Sequence, residues 1–224
     1  MLRVIILGAG GHGMVVADIL LRAQEAAEYR CSSGSEAIMP TGYLDEDETL
    51  LGSTLLGLPV LGKTADLDRT PHDAVIIAIG DNRTRARLFH QLETCGERLA
   101  IARHPSAVIA PDVRIGPGTM ICACAVVNPG SVVGANAILN TACTVDHHND
   151  IRDHVHIAPG AHLGGRVVVG EGTLVGIGAT VMPGRNVGPW ATVGAGACVT
   201  RDVPAGLTVV GVPAGPGKSR RGVS

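Results

Sequence analysis

Five of the nine histidines in this chain fall within sixteen residues, at His147, His148, His154, His156 and His162. They lie in the run VDHHND, IRDHVH, IAPGAH (145–162). Imidazole is the side chain whose proton affinity best matches neutral water, so such a cluster is a candidate for general acid–base chemistry. Zinc ligation is the rival chemistry, but the five show no H-x-H pattern repeated at 18 and outline no closed ligand shell, so no metal is expected. A second stretch suited to chemistry is GAGGHG (8–13), between the apolar run LRVIIL (2–7) and MVVADILLRAQEA (14–26). Its Gly8, Gly10 and Gly13 have the G-x-G-x-x-G spacing that brings backbone N–H groups and a helix N-terminus against a phosphate, with Gly11 and His12 inside the loop.

What must position the histidines is a repeat. Counting in sixes from Ile109, each stop is aliphatic through Ile115, Ile121, Val127, Val133, Leu139, Val145, Ile151, Ile157, Leu163, Val169, Val175, Val181, Val187 and Val193 to Val199. Small residues often stand one and four places later. No α-helix repeats at six, and glycine and proline this dense would dissolve one. The pattern predicts a β-helix in which three six-residue units close an 18-residue triangular coil, with the aliphatics stacked inside. Sixteen units give a little over five coils, a prism roughly 25 Å long at about 4.8 Å per coil. Its flat sides are natural surfaces for packing further copies of the chain.

What must position the glycine loop is a small α/β (Rossmann-like) unit. A strand at 2–7 leads through the loop into a helix. A polar loop at 27–40 and a strand near Gly42–Leu44 follow, then the acidic group Asp45 to Glu48. An extended piece at Leu58–Leu61, a helix start near Thr64–Leu67, the buried strand AVIIAIG (74–80) and a helix from Asn82 to Cys95 complete it. A dinucleotide fold is disfavoured, because no acidic residue stands about 20 positions past the loop and the chain is too short for six strands. Each polar residue here has two readings. His12 contacts a ligand or caps the helix; Asp81 and Asn82 contact a ligand or cap the next helix; Asp45 meets a ribose or sits in a solvated turn. The organisation read from this is a domain at 1–104, the β-helix at 105–214 and a basic flexible tail at 215–224.

Composition excludes several classes. The 224 residues carry a formal charge of −2 and no long basic block, so nucleic acid is not an expected partner. No apolar run approaches the 18 or so residues that cross a bilayer, so no membrane insertion is expected. The six cysteines, Cys31, Cys95, Cys122, Cys124, Cys143 and Cys198, contain no CxxC pair and read as reduced thiols of a cytoplasmic protein. Cys143 stands at a small-residue position of the repeat and reads as core rather than nucleophile.

Taken in order, GAGGHG (8–13), GYLDEDE (42–48), AIGDNRTR (78–85), HPSAVIAP (104–111), VNPGSVVGANAILNT (127–141), VDHHNDIRDHVHIAPGAHLGG (145–165) and TVVGVPA (208–214) resemble the hexapeptide-repeat acyltransferases, and among them the PglD/NeuD-like sugar acetyltransferases. The resemblance implies a homotrimer of left-handed β-helices, each with an N-terminal nucleotide-sugar-binding domain. It implies acetyl transfer from acetyl-CoA to the amino group of a nucleotide-linked amino sugar. His147 is then the general base and His156 helps to hold the acetyl thioester. The nucleotide sugar falls to Gly8, Gly10, Gly11, His12, Gly13, Asp45, Asp81 and Asn82, and acetyl-CoA to His156, Gly165, Ile177 and Gly178. One departure stands out: the family often has an acidic residue directly after the base, and here that residue is His148. Asp146, Asp150, His148 or a group of the next subunit is left to orient His147. The alternatives are an O-acetyltransferase acting on sialic acid or a related sugar hydroxyl, and a non-catalytic hexapeptide scaffold.

Overall fold

The six-residue spacing has a direct counterpart in space. The computed structural model, described over residues 1–29 and 38–217, is an α/β domain followed by a left-handed parallel β-helix. In the first domain β1 (Leu2–Leu7), α1 (Gly11–Tyr29), β2 (Ile38–Leu44), β3 (Thr54–Leu55), β4 (Leu58–Gly62), β5 (Ala74–Ile77) and α2 (Asn82–Thr94) build one sheet of order β3-β4-β2-β1-β5. All pairs are parallel except β3 with β4. β1 lies between β2 and β5, so the chain leaves it in one direction and returns on the other side. The loops after β1 and β5 meet at that switch point, where open α/β sheets bind ligands.

The reading of 27–40 as a polar loop is corrected in part. α1 continues to Tyr29 and β2 already starts at Ile38, while 30–37, with Cys31, lies outside the described residues. Pro40 and Gly42 argue against a strand by composition. They are accommodated by a bulge at Thr41, where pairing with β1 slips from Val4↔Pro40 to Ile5↔Gly42.

The β-helix has three faces, each a parallel sheet, and partners lie 18 residues apart: Leu139↔Ile157, Val145↔Leu163, Ile151↔Val169. The aliphatics of the repeat form one continuous core, in which Ile109 and Ile115 at the open end are only partly buried. The first strand, Ala102–Arg103, pairs with Met120–Ile121 just ahead of residue 105. After Val199 the last coil shortens, and Val203 and Val209 continue the core. Gly215–Pro216 returns antiparallel on Val209–Val210, so 215 and 216 belong to the fold rather than to a tail; the expected flexibility of 218–224 lies outside the described residues.

Corners are made by residues of left-handed φ, 53° to 74°, in three columns. The first corner has Cys124, Ala142, Gly160, Gly178 and Gly196; the second has Gly130, His148, Arg166 and Gly184; the third has Gly118, Asn136, His154, Gly172 and Trp190.

The two domains share a core. The outward column of the first face reads Ala102, Met120, Ile138, His156, Leu174, Thr192. Its first three members pack with Val16, Ile19 and Leu20 of α1. α2 lies along the third corner, with Phe89 against Gly118 and His154 and Arg83 stacked on Trp190 at 4.7 Å.

Candidate active site

The glycine loop is shaped by two contacts and left open elsewhere. A side chain at Gly13 would strike the Gly8 carbonyl, and one at Gly8 would strike the Ala78 carbonyl at 2.9 Å, so these glycines serve the crossing of the two loops. Gly10 and Gly11 are different: a Cβ there would meet nothing within 4 Å, and neither has a left-handed φ. The same holds for Gly80 in the loop after β5. Nothing inside the chain demands glycine at these three exposed positions, which suits close approach of a ligand to backbone. Asp45 holds the loop from behind, accepting from the Ala9 and Asp47 N–H groups at 2.5 and 2.8 Å.

His12 and His156 face each other between the domains, with ring centroids 6.3 Å apart. His156 is the first polar member of its column, placed where the cover of α1 ends. The Asn140 side chain donates to His156 Nε2 at 3.1 Å, an orientation fixed because Asn140 Oδ1 accepts from the Thr141 N–H at 2.8 Å. With Nε2 accepting from Asn140, the proton of the neutral ring sits on Nδ1. Burial, then the charge of Arg85, then His12 hold the His156 pKa down at about 3. Burial and Arg85 also lower that of His12, whose Nε2 is buried without a partner. Two neutral imidazoles therefore line this crevice, one carrying an unused polar atom. Gly11 opens onto a groove of about 460 Å³ with His104 and Thr141, and Gly80 onto a cavity of about 260 Å³ with Asn82, Leu174 and Trp190.

Arg85 is what fixes the β5 loop over the β-helix. It is fully buried and donates to five acceptors: Nε to Asn136 O, Nη1 to Ile79 O and Gly80 O, and Nη2 to Asn82 Oδ1 and His154 O, at 2.8 to 3.3 Å. Burial lowers its pKa to about 10, still cationic at neutral pH. Asn82 donates in turn to the Gly172 and Thr173 carbonyls, and Asp81 caps α2 through the Thr84 N–H. Asp45 and Asn82 thus have both side-chain polar atoms engaged inside the chain, and Asp81 has its Oδ1. His154 accepts from Asn136 at 2.8 Å, packs edge-on to Phe89 and His90, and is held near pKa 4 chiefly by burial.

His147 lies elsewhere, exposed at the second corner and opposite the face that carries the first domain. Its ring stands over Gly165, where a Cβ would approach Cε1 to 2.5 Å; the ring of His148 leans the other way, over Gly130. The two Nδ1 atoms are 3.1 Å apart. Asp146 accepts from the His147 backbone N–H and the Asn128 side chain, which lower its pKa, and Asp150 pairs with Arg152 at 2.7 Å. His162 is exposed on the second face and bonds Thr144. Ile177, 62% exposed, and Gly178 belong to the first corner, away from Gly165. Cys143 is core, its thiol pushed up to about 12 by burial. Among the described residues no group of three metal-ligating side chains converges, and no helix is long and apolar enough to cross a membrane.

Sequence reasoning did not single out Asn140, Gly80 or Arg85. Asn140 left a signal: it follows an inward aliphatic at a place where the repeat usually has a small residue.

This chain has clear relatives. The profile of the PglD N-terminal domain matches residues 3–92. The acetyltransferase domain of PglB from Neisseria gonorrhoeae FA1090, solved with acetyl coenzyme A, is 37% identical with a TM-score of 0.82, over 96% of this chain and 98% of that one. A histidine-to-alanine variant of the GDP-perosamine N-acetyltransferase of Caulobacter crescentus, solved with CoA and GDP-perosamine, is 36% identical with a TM-score of 0.85, over 96% and 97%. WeeI from Acinetobacter baumannii AYE is 32% identical with a TM-score of 0.81, over 96% and 100%.

Proposed function

The chain belongs to the PglD-like hexapeptide-repeat sugar acetyltransferases, and from that premise we propose that it moves acetyl from acetyl-CoA to the amino group of a nucleotide-linked amino sugar. The observation that carries this reading is the switch point, where Gly10 and Gly11 of one loop and Gly80 of the other present backbone that no part of the chain covers, with His12 and His156 facing each other between the domains. These groups suit a diphosphate and the sugar beyond it. The amine attacks the thioester carbonyl, His147 Nε2 takes the amine proton, and the tetrahedral intermediate collapses with loss of the CoA thiolate. His156, neutral and held by Asn140, donates its Nδ1–H to the thioester oxygen. Thiol release from acetyl-CoA with a panel of nucleotide-linked 4-amino sugars tests the activity. Release only with hydroxyl acceptors would replace it by O-acetylation.

Gly10→Val raises KM for the nucleotide sugar by about tenfold or more while KM for acetyl-CoA and the melting temperature stay put, since the new side chain fills only space outside the chain. Equal damage to both KM values would mean that the loop serves something else.

In one chain His147 and the glycine loop lie on opposite sides of the prism, and Gly165 and Ile177 lie at different corners. A closed trimer in which the second corner of one copy faces the crevice of the next brings them together. At nucleotide-sugar concentrations well below KM, mixed trimers of Gly10→Val and His147→Ala chains then regain about a quarter of wild-type activity, because random assembly pairs an intact crevice with an intact His147 in that share of sites. No recovery on mixing, or a sedimentation mass of one chain, overturns the shared site.

A further inference from the structure

The second corner holds an orienter for the base, and it is an imidazole. We propose that His148 is the positioning residue for His147: its Nδ1 accepts the His147 Nδ1–H and so directs the Nε2 lone pair outward. The inference rests on the reading of His147 as general base.

Three observations carry it. The Nδ1 atoms are 3.1 Å apart, and a contact between two ring nitrogens at this distance is a hydrogen bond only if one carries hydrogen and the other does not. Neither neighbouring carboxylate bonds the His147 ring: Asp146 Oδ1 holds the His147 backbone N–H and Asn128, and Asp150 holds Arg152. The corner is also cut to receive both rings. Gly165 gives room above for His147 and Gly130 gives room below for His148, where a Cβ would meet the rings at 2.5 and 2.8 Å. His148 itself has φ 57°, the left-handed corner conformation, and its ring stands edge-on to that of His147 with centroids 5.3 Å apart. The charged groups around the pair are Asp146, Arg166 one coil on in the same column, and Asp112, which accepts from the Gly130 N–H.

The chemistry differs from that of a carboxylate orienter. When His147 takes the amine proton at Nε2 it becomes imidazolium, and a neutral His148 still accepts from Nδ1, so no second proton moves.

The test compares His148→Gly, His148→Asn and His147→Ala in the full chain. Glycine suits the corner, since Gly130 and Gly184 occupy it in other coils, so losing the ring adds no backbone strain. Asparagine also tolerates that conformation and places Oδ1 about where Nδ1 was. His148→Gly lowers kcat by about tenfold or more, with both KM values within about twofold. His148→Asn recovers most of the loss, since its Oδ1 can accept the same Nδ1–H. The proposal is overturned if His148→Gly keeps wild-type kcat, or if His148→Asn is as slow as His148→Gly. A His147→Ala enzyme that keeps more than about a third of wild-type turnover overturns the base assignment itself. An inactive His147→Ala beside a fully active His148→Gly overturns only the orienter.

Discussion

His147→Ala lowers kcat by at least about a hundredfold, the usual loss when a positioned base is removed. The chain stays folded and assembled, because the ring is exposed and touches only Gly165 and His148, outside the aliphatic core. KM for acetyl-CoA changes little. The deficit narrows as pH rises toward the pKa of the acceptor amine, since more substrate then arrives already deprotonated. Retention of more than about a third of wild-type turnover would place the base elsewhere.

The second large effect is on stability. Arg85→Met keeps the bulk of the side chain but leaves five acceptors without a donor, at Ile79, Gly80, Asn82, Asn136 and His154. Removing one partner from a buried, hydrogen-bonded ionic site costs about 3–5 kcal/mol, which for a chain of this size lowers the melting temperature by on the order of 10 °C. Arg85→Lys recovers part of this, as an ammonium has fewer hydrogens and no planar fork. Scanning calorimetry decides: a shift under about 2 °C for Arg85→Met would mean that the domains hold together without this clamp. Acid acts on the same joint. His154 and His156 titrate near 4 and 3 when folded but near the ordinary imidazole value when unfolded, so between those limits the unfolded chain binds more protons. Stability is full above about pH 6.5 and declines as pH falls through the window below it.

The β-helix was legible in advance because its period is a property of one-dimensional spacing: an aliphatic every sixth residue fixes both the stacking and the 18-residue register. The glycine loop and His147 were legible as residue types in local runs. β2 was harder, since Pro40 and Gly42 mimic a loop unless the bulge at Thr41 is known. Arg85 was hidden for another reason. Its role is a relation between a helix and coils 51 and 69 positions further on, and no local pattern encodes which column α2 will cover. Asp45, Asp81 and Asn82 stand at loops beside the switch point, and the hydrogen bonds that they make within the chain hold those loops in place.

The parallel stacking of coils also makes the molecule a ruler with fixed graduations. Each 18-residue insertion would lengthen the prism by one step of about 4.8 Å and leave every pairing intact. An extra coil placed above the histidines would extend the wall available to a long acyl carrier without moving His147 or His156. One placed below them would lift both away from the crevice that α1 and α2 fix at the base. Reach in this architecture is therefore quantised and separable from chemistry: the histidine coil sets the zero mark, and the number of coils beyond it sets the scale.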